Sequence, residues 1–81
     1  MTTITLSKDV TYSDGSATPV TVEVNADGCF VTYLSARIAV PDDAMADMEA
    51  LAKLFEDAAV RHFIPIVELL GQAYRMKDIV A

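Results

Sequence analysis

Hydrophobic and polar residues alternate along the first forty positions of the chain. In the segment PVTVEVN, Val20, Val22 and Val24 share one face, and polar residues occupy the positions between them. Similar alternation occurs over residues 3–7 and, over a longer run, in CFVTYLSARIAV at residues 29–40. A period of two with many β-branched residues is typical of half-buried antiparallel strands. The pattern therefore predicts three strands.

Two turn signals separate these strands. The sequence NADG at residues 25–28 is short enough to close a tight hairpin, whereas SDGSATP at residues 13–19 is longer and polar. Short turns of this composition favour antiparallel hairpins. We expect a three-stranded antiparallel β-meander over residues 1–40, with the longer turn forming a mobile tip.

The period changes after Pro41, which is expected to end the last strand. Asp42 or Asp43 is the expected N-cap of the helix that follows. Apolar residues then recur at alternating spacings of three and four, which is a heptad pattern typical of an amphipathic helix. The pattern predicts a helical half over residues 42–78. Its members are Met45, Met48, Ala52, Phe55, Ala59, His62, Ile66, Leu69, Ala73 and Met76.

Pro65 interrupts this helical pattern. Proline cannot donate a backbone hydrogen bond and crowds the carbonyl four residues earlier, here that of Arg61, at a cost of roughly 3 kcal/mol. The helix could break, with Pro65 opening a second helix, or it could bend and continue. We favour a kinked, continuous helix, because no capping residue lies between Val60 and Ile64. The expected class is α+β, in one domain spanning residues 1–81.

The apolar stripe of the helical half is wide enough to serve two surfaces. The chain is 53% hydrophobic with a mean hydropathy of +0.34, and a domain of 81 residues has too little interior to cover so much apolar area. We therefore expect a homo-oligomer, with a dimer favoured. The predicted interface follows the heptad positions Met45, Met48, Phe55, His62, Ile66, Leu69 and Met76.

The chain is acidic, with a net charge of −6 and a pI of about 4.4. This charge disfavours direct binding to nucleic acids or anionic membranes. Its ordinary role is to keep an apolar protein soluble. A more specific hypothesis is that an acidic helix face imitates a phosphate track and binds a basic, nucleic-acid-handling protein. That partner-binding face would comprise Asp43, Asp47, Glu49, Glu56 and Asp57.

Candidate catalytic groups lack suitable partners in the sequence. A catalytic histidine needs an orienting carboxylate, but the residues three and four positions from His62 are alanine, proline and isoleucine. We expect His62 to line the helix seam or a subunit contact, and Cys29 to be a small buried hydrophobe. There is no glycine-rich phosphate loop and no cluster of metal ligands at a recognisable spacing. The sequence predicts no enzymatic activity, no cofactor and no metal site.

The amino-terminal residues lack the features of a signal peptide, no apolar run is long enough to cross a membrane, and the single cysteine suits a reducing compartment. A cytoplasmic location is expected.

By analogy of form, the expected function is that of a non-enzymatic protein-binding module, such as a phage-type accessory or inhibitory protein directed against host defence. One alternative is a structural or assembly factor of a larger particle such as a phage tail. Another is a small-ligand-binding protein with a pocket at the subunit interface, near His62, Tyr33 and Tyr74.

Overall fold

A computed structural model describes residues 3–76 as an antiparallel sheet followed by helices. The α+β class and the β-meander are confirmed, but the sheet has four strands and not three, in the order β1-β2-β3-β4. The strands are β1 (Ile4–Thr11), β2 (Ala17–Asn25), β3 (Gly28–Tyr33) and β4 (Ala36–Val40). The helices are α1 (Asp42–Met45), α2 (Met48–Leu54) and α3 (Val60–Met76). Residues 77 and 78 of the predicted helical half lie outside the described residues.

The fourth strand arises from a turn within residues 29–40, which the alternation had predicted to be one strand. Leu34 and Ser35 form a two-residue turn between β3 and β4, and Leu34 has a φ of 53°. Tyr33 lies opposite Ala36, so the core-facing positions change from odd numbers in β3 to even numbers in β4. The sequence contains no glycine or asparagine at this turn, which is why no turn signal was visible.

One face of the sheet forms the core, and α3 packs against it over β1 and β2. Val20 and Val22 from β2 and Val31 from β3 are completely buried there. Successive side chains of a strand point to opposite faces, so the observed register gathers these valines under the helix. Lys8 of β1 also lies on this side and forms an ion pair with Glu68 of α3 at the edge of the sheet.

Helices follow the sheet as expected, but the helical half is divided into three, where one long kinked helix or two consecutive helices were expected. Neither predicted N-cap is correct either, because Pro41 takes that position and Asp42 and Asp43 lie in the first turn of α1. The main interruption covers residues 55–59, where the chain turns between α2 and α3. It brings the Phe55 ring into the core, 6.2 Å from Tyr33 between ring centroids. Tertiary packing of this aromatic residue overrides the helical periodicity.

The helix does continue through Pro65, as favoured from the sequence, because α3 runs unbroken from Val60 to Met76. Pro65 is buried, so its ring contributes apolar contact area where its missing N–H removes the bond to Arg61. The buried residues of α3 recur at helical spacing and define its core-facing side. They are His62, Pro65, Ile66, Leu69, Leu70 and Ala73.

Candidate functional site

His62 lies in an aromatic cluster that joins α3 to the end of β1. Its Nε2 atom is hydrogen-bonded to the hydroxyl of Tyr12, with the two atoms 2.7 Å apart. The rings of Tyr12 and Tyr33 lie 5.9 and 5.8 Å from the imidazole between centroids. Only 7% of His62 is exposed to solvent. The hydrogen bond to the phenol gives this buried imidazole nitrogen a partner and joins α3 to the end of β1.

The hypothetical ligand site near His62, Tyr33 and Tyr74 is not assembled within one chain. Tyr33 packs beside the imidazole and is buried. Tyr74 lies twelve residues beyond His62 on α3, about 18 Å along the helix axis, and is 40% exposed. The structure therefore brings together two of the three residues, His62 and Tyr33, and adds Tyr12. Tyr12 lies after β1, outside the alternating pattern, so the sequence did not predict its contact with His62.

The seven residues of the predicted oligomer interface divide between the interior and the surface. Met45, Phe55, His62, Ile66 and Leu69 are buried in the core of the single chain. Of the other two, Met48 is 58% exposed at the start of α2, and Met76 is partly buried against the core. Because the heptad positions of α3 face its own sheet, most of the predicted surface is occupied by intramolecular packing.

Cys29 is buried at the start of β3, where it lines a recess of about 340 Å³ together with Asp27 and Asp42. Burial, reinforced by the negative charge of Asp42, raises the pKa of the Cys29 thiol to about 11. Nucleophilic cysteines require a thiolate, which positive surroundings stabilise. The thiol of Cys29 is thus protonated at neutral pH, and its environment is that of a core residue.

An open groove between α1 and α2 has the features of a binding surface. Its volume is about 610 Å³. The two helices are short and are joined by a tight turn, in which Asp47 N–H donates to the carbonyl of Ala44. Asp47 then caps α2, since its carboxylate accepts hydrogen bonds from the backbone N–H groups of Glu49 and Ala50, at 3.1 and 3.3 Å. This cap satisfies two backbone N–H groups at the start of α2 that have no partner within the helix.

The groove combines an apolar floor with a charged rim. Ala50 and Leu54, four residues apart on α2, face the same side of that helix. Together with Pro41 and Ala44 they form the apolar part, and the charged residues lining the groove are Asp43, Lys53 and Glu56. The sequence did not predict this apolar surface. The surface forms where α1 and α2 meet at an angle, and the heptad pattern predicted a continuous helix in place of these two short ones.

All five residues of the predicted acidic face are exposed, but they have different surroundings. Asp43 and Glu56 line the groove. Asp47 has a structural role as the cap of α2. Glu49, in the first turn of α2, and Asp57, in the turn after that helix, add negative charge to the same part of the chain. The structure therefore brings two of the five to one concave surface.

Comparison with known proteins identifies no relatives for this domain. The sequence matches no protein-family model, and no curated protein and no solved structure is significantly similar to it. Within residues 3–76, no group of three or more histidine, cysteine, aspartate or glutamate side chains is arranged to hold a metal ion. No helix in that part of the chain is long and apolar enough to span a membrane. What can be said about function rests on the geometry of the groove.

Proposed function

We propose that this protein is a non-enzymatic module that binds a basic segment of another protein in the groove between α1 and α2. The observation that carries the proposal is the lining of this groove, in which apolar residues lie beside two carboxylates and one lysine. If the bound segment belongs to the nucleic-acid-binding surface of its own protein, occupation of the groove would block that surface. The proposal thus retains the inhibitor hypothesis and gives it a location.

The charge distribution supports a basic partner. Residues 42–57 contain six acidic residues and one lysine, a net charge of −5, whereas the other 65 residues together carry −1. Clustered charge of one sign focuses the electrostatic field, increases the rate of encounter with an oppositely charged partner and suppresses encounter with like-charged ones. Most of the net negative charge therefore lies on and next to α1 and α2, where the groove is.

The apolar lining gives the partner a second property. Leu54 is 36% exposed, and Ala50 is partly exposed beside it. An open groove lined by small apolar residues accepts one or two protruding apolar side chains and leaves the rest of a partner in solvent. The segment that fits best is a short amphipathic one, with apolar anchors directed at Ala50 and Leu54 and lysine or arginine residues directed at Asp43 and Glu56.

The proposal can be tested with defined peptides. A fluorescent 15-residue helical peptide with leucine on one face and lysine on the other would be titrated with the protein, and a second peptide would carry glutamate in place of lysine. We expect saturable binding of the basic peptide alone, because two carboxylates and one lysine line the groove and the surrounding residues 42–57 carry a net charge of −5. The variant Asp43→Lys with Glu56→Lys should weaken that binding at least about tenfold, since attraction at two sites becomes repulsion.

A matched charge reversal elsewhere separates groove binding from general attraction. Asp9 and Asp27 are exposed and lie outside the groove, so Asp9→Lys with Asp27→Lys alters the net charge by the same amount. This variant should change the affinity less than about threefold at physiological salt, where distant surface charges are screened. Equal weakening by the two double variants, or equal binding of both peptides, would contradict the proposed function.

A further inference from the structure

The outer side of α3 carries a second apolar stripe in addition to the one that packs on the sheet. Val60 is 71% exposed, Ile64 is 53% exposed and Tyr74 is 40% exposed. Val67 and Gly71 lie between them and are partly exposed. These five residues are spaced four, three, four and three apart, which is the repeat of a helix that packs along another helix.

The polar side of α3 is unusually narrow. Its solvated charged and amide side chains, Arg61, Glu68, Gln72 and Arg75, follow one another at spacings of seven, four and three, so they lie in one row along the helix. An amphipathic helix that covers a single core has a broad polar face opposite that core. In α3 the position opposite the core is occupied by the second stripe, so this helix has two apolar surfaces and one flank of polar residues.

Gly71 lies in the middle of this second stripe. A glycine within a helix is about 1 kcal/mol less favourable than alanine. A Cβ atom at this position would meet only the guanidinium of Arg75, at 3.9 Å, which is an ordinary contact. Packing within the chain therefore does not require glycine here. A residue without a side chain on an apolar helix surface allows the close approach of another chain.

We infer that a second copy of this chain packs its α3 against the stripe of the first in an antiparallel, two-fold symmetric arrangement. In this register Val60 faces Gly71 of the second copy, and Ile64 faces Val67 of the second copy. Symmetry repeats both contacts, which gives four layers of side chains. Val60, the most exposed residue of the stripe, is thereby placed against Gly71, which has no side chain.

The charges beside the stripe select this register over its neighbour. Arg61, Glu68 and Arg75 flank the stripe at intervals of seven residues, with charges that alternate in sign. In the inferred register Arg61 lies beside Glu68 of the second copy, and the pair occurs twice by symmetry. A shift by one heptad would place Glu68 beside Glu68 and Arg61 beside Arg75, so that every flanking contact would join like charges. Flanking charges of this kind set the register and orientation of paired helices.

Both flanking residues also have contacts within their own chain that this arrangement preserves. Glu68 forms the exposed ion pair with Lys8, and the Arg61 guanidinium lies 5.5 Å from the centre of the Tyr12 ring. A carboxylate can accept from two cations, so Glu68 can pair with Lys8 and with the arginine of the second copy together. The stripe lies on α3, whereas the residues that line the groove belong to α1, α2 and the positions next to these helices, so the two surfaces share no residue.

Complementation between two charge variants tests the register directly. Arg61→Glu and Glu68→Arg each place like charges at both flanking contacts of a homodimer, and each should weaken dimerisation roughly 10- to 100-fold. Mixed in equal amounts, the two variants should form a heterodimer of about wild-type affinity, since both flanking contacts again join opposite charges. Sedimentation equilibrium over a concentration series would measure all three association constants, and far-UV circular dichroism would establish that each variant is folded.

A second pair of variants tests the apolar contact. Ile64→Asp should abolish dimerisation, because it buries a carboxylate in a central layer, whereas Gln72→Asp alters the polar flank and should leave it within about threefold of wild type. Failure of the mixed charge variants to associate better than either alone would overturn the inferred register. A wild-type Kd weaker than about 1 mM, or retained dimerisation of Ile64→Asp, would overturn the interface itself. None of these results depends on the basic peptide used to test the groove.

Discussion

The hydrogen bond between Tyr12 and His62 allows a quantitative test of how the sheet is fastened to α3. In Tyr12→Phe the ring remains, so its contacts with the imidazole and with the Arg61 guanidinium are largely kept. What is lost is the hydroxyl at 2.7 Å from Nε2 of a histidine that is 7% exposed. A buried polar atom without its partner costs about 1–3 kcal/mol.

We therefore expect Tyr12→Phe to lower the free energy of unfolding by about 2 kcal/mol. For a domain of this size each 1 kcal/mol corresponds to about 4–8 °C in Tm, so the Tm should fall by roughly 8–16 °C. Urea unfolding followed by circular dichroism would measure the change, and an unaltered m-value would show that the same surface is exposed in both proteins.

A double-mutant cycle with His62→Leu assigns the loss to the hydrogen bond. Leucine is apolar, so in the His62→Leu background the Tyr12→Phe change no longer leaves an imidazole nitrogen without a partner. The cost of Tyr12→Phe should then fall by at least about 1 kcal/mol. Additive effects of the two changes, within about 0.3 kcal/mol, would refute the reasoning and show that the phenol stabilises the fold through other contacts.

Three further changes probe separate parts of the structure. Gly71→Ala should raise the stability of the dilute monomer by about 0.5–1 kcal/mol in thermal unfolding, whereas Gly28→Ala should lower it, because Gly28 has a φ of 131° that alanine adopts only with strain. Because the pKa of Cys29 is raised to about 11 in the folded protein, the thiol of the unfolded chain ionises first as pH rises, and the free energy of unfolding should decline from about pH 9 towards 11. The decline should be smaller in Cys29→Ala. An equal dependence of stability on pH in the two proteins would argue against the burial of this thiol. Asp47→Ala should cost about 1 kcal/mol through loss of the α2 cap, while Asp43→Ala, which removes no cap, should cost clearly less.

The sheet was largely predictable because its signals are local. Alternation placed Val20, Val22 and Val24 on one face, and the structure buries all three. The turn at residues 26–27 was also predictable, because the sequence NADG at residues 25–28 is typical of a tight turn. The turn at Leu34 was not predictable in this way, because a leucine with positive φ carries no turn signal and its conformation is imposed by the pairing of Tyr33 with Ala36. Cross-strand pairing is a property of the whole sheet.

The candidate site was predictable only as a set of charges. Asp43 and Glu56 were expected to be exposed and acidic, and both are. Their convergence on one groove requires the chain to turn at residues 46–47 and again at 55–59. The second turn allows Phe55 to pack against Tyr33 of β3 and Phe63 of α3. Both contacts lie outside α2, so the local sequence does not indicate them. Periodicity describes a helix that is already formed, so it cannot report the point at which tertiary contacts end that helix.

The two apolar stripes of α3 show why a heptad pattern alone cannot identify an interface. Positions 62, 66, 69, 73 and 76 and positions 60, 64, 67, 71 and 74 both follow the spacing four, three, four and three. The two sets are offset by two residues, about 200° around the helix, so they lie on nearly opposite sides. The first set carries the histidine and the larger aliphatic residues that meet the sheet, and the second carries the glycine. A helix packed on its own domain leaves only the other side for a second chain, so the exposed set is where self-association has to be sought.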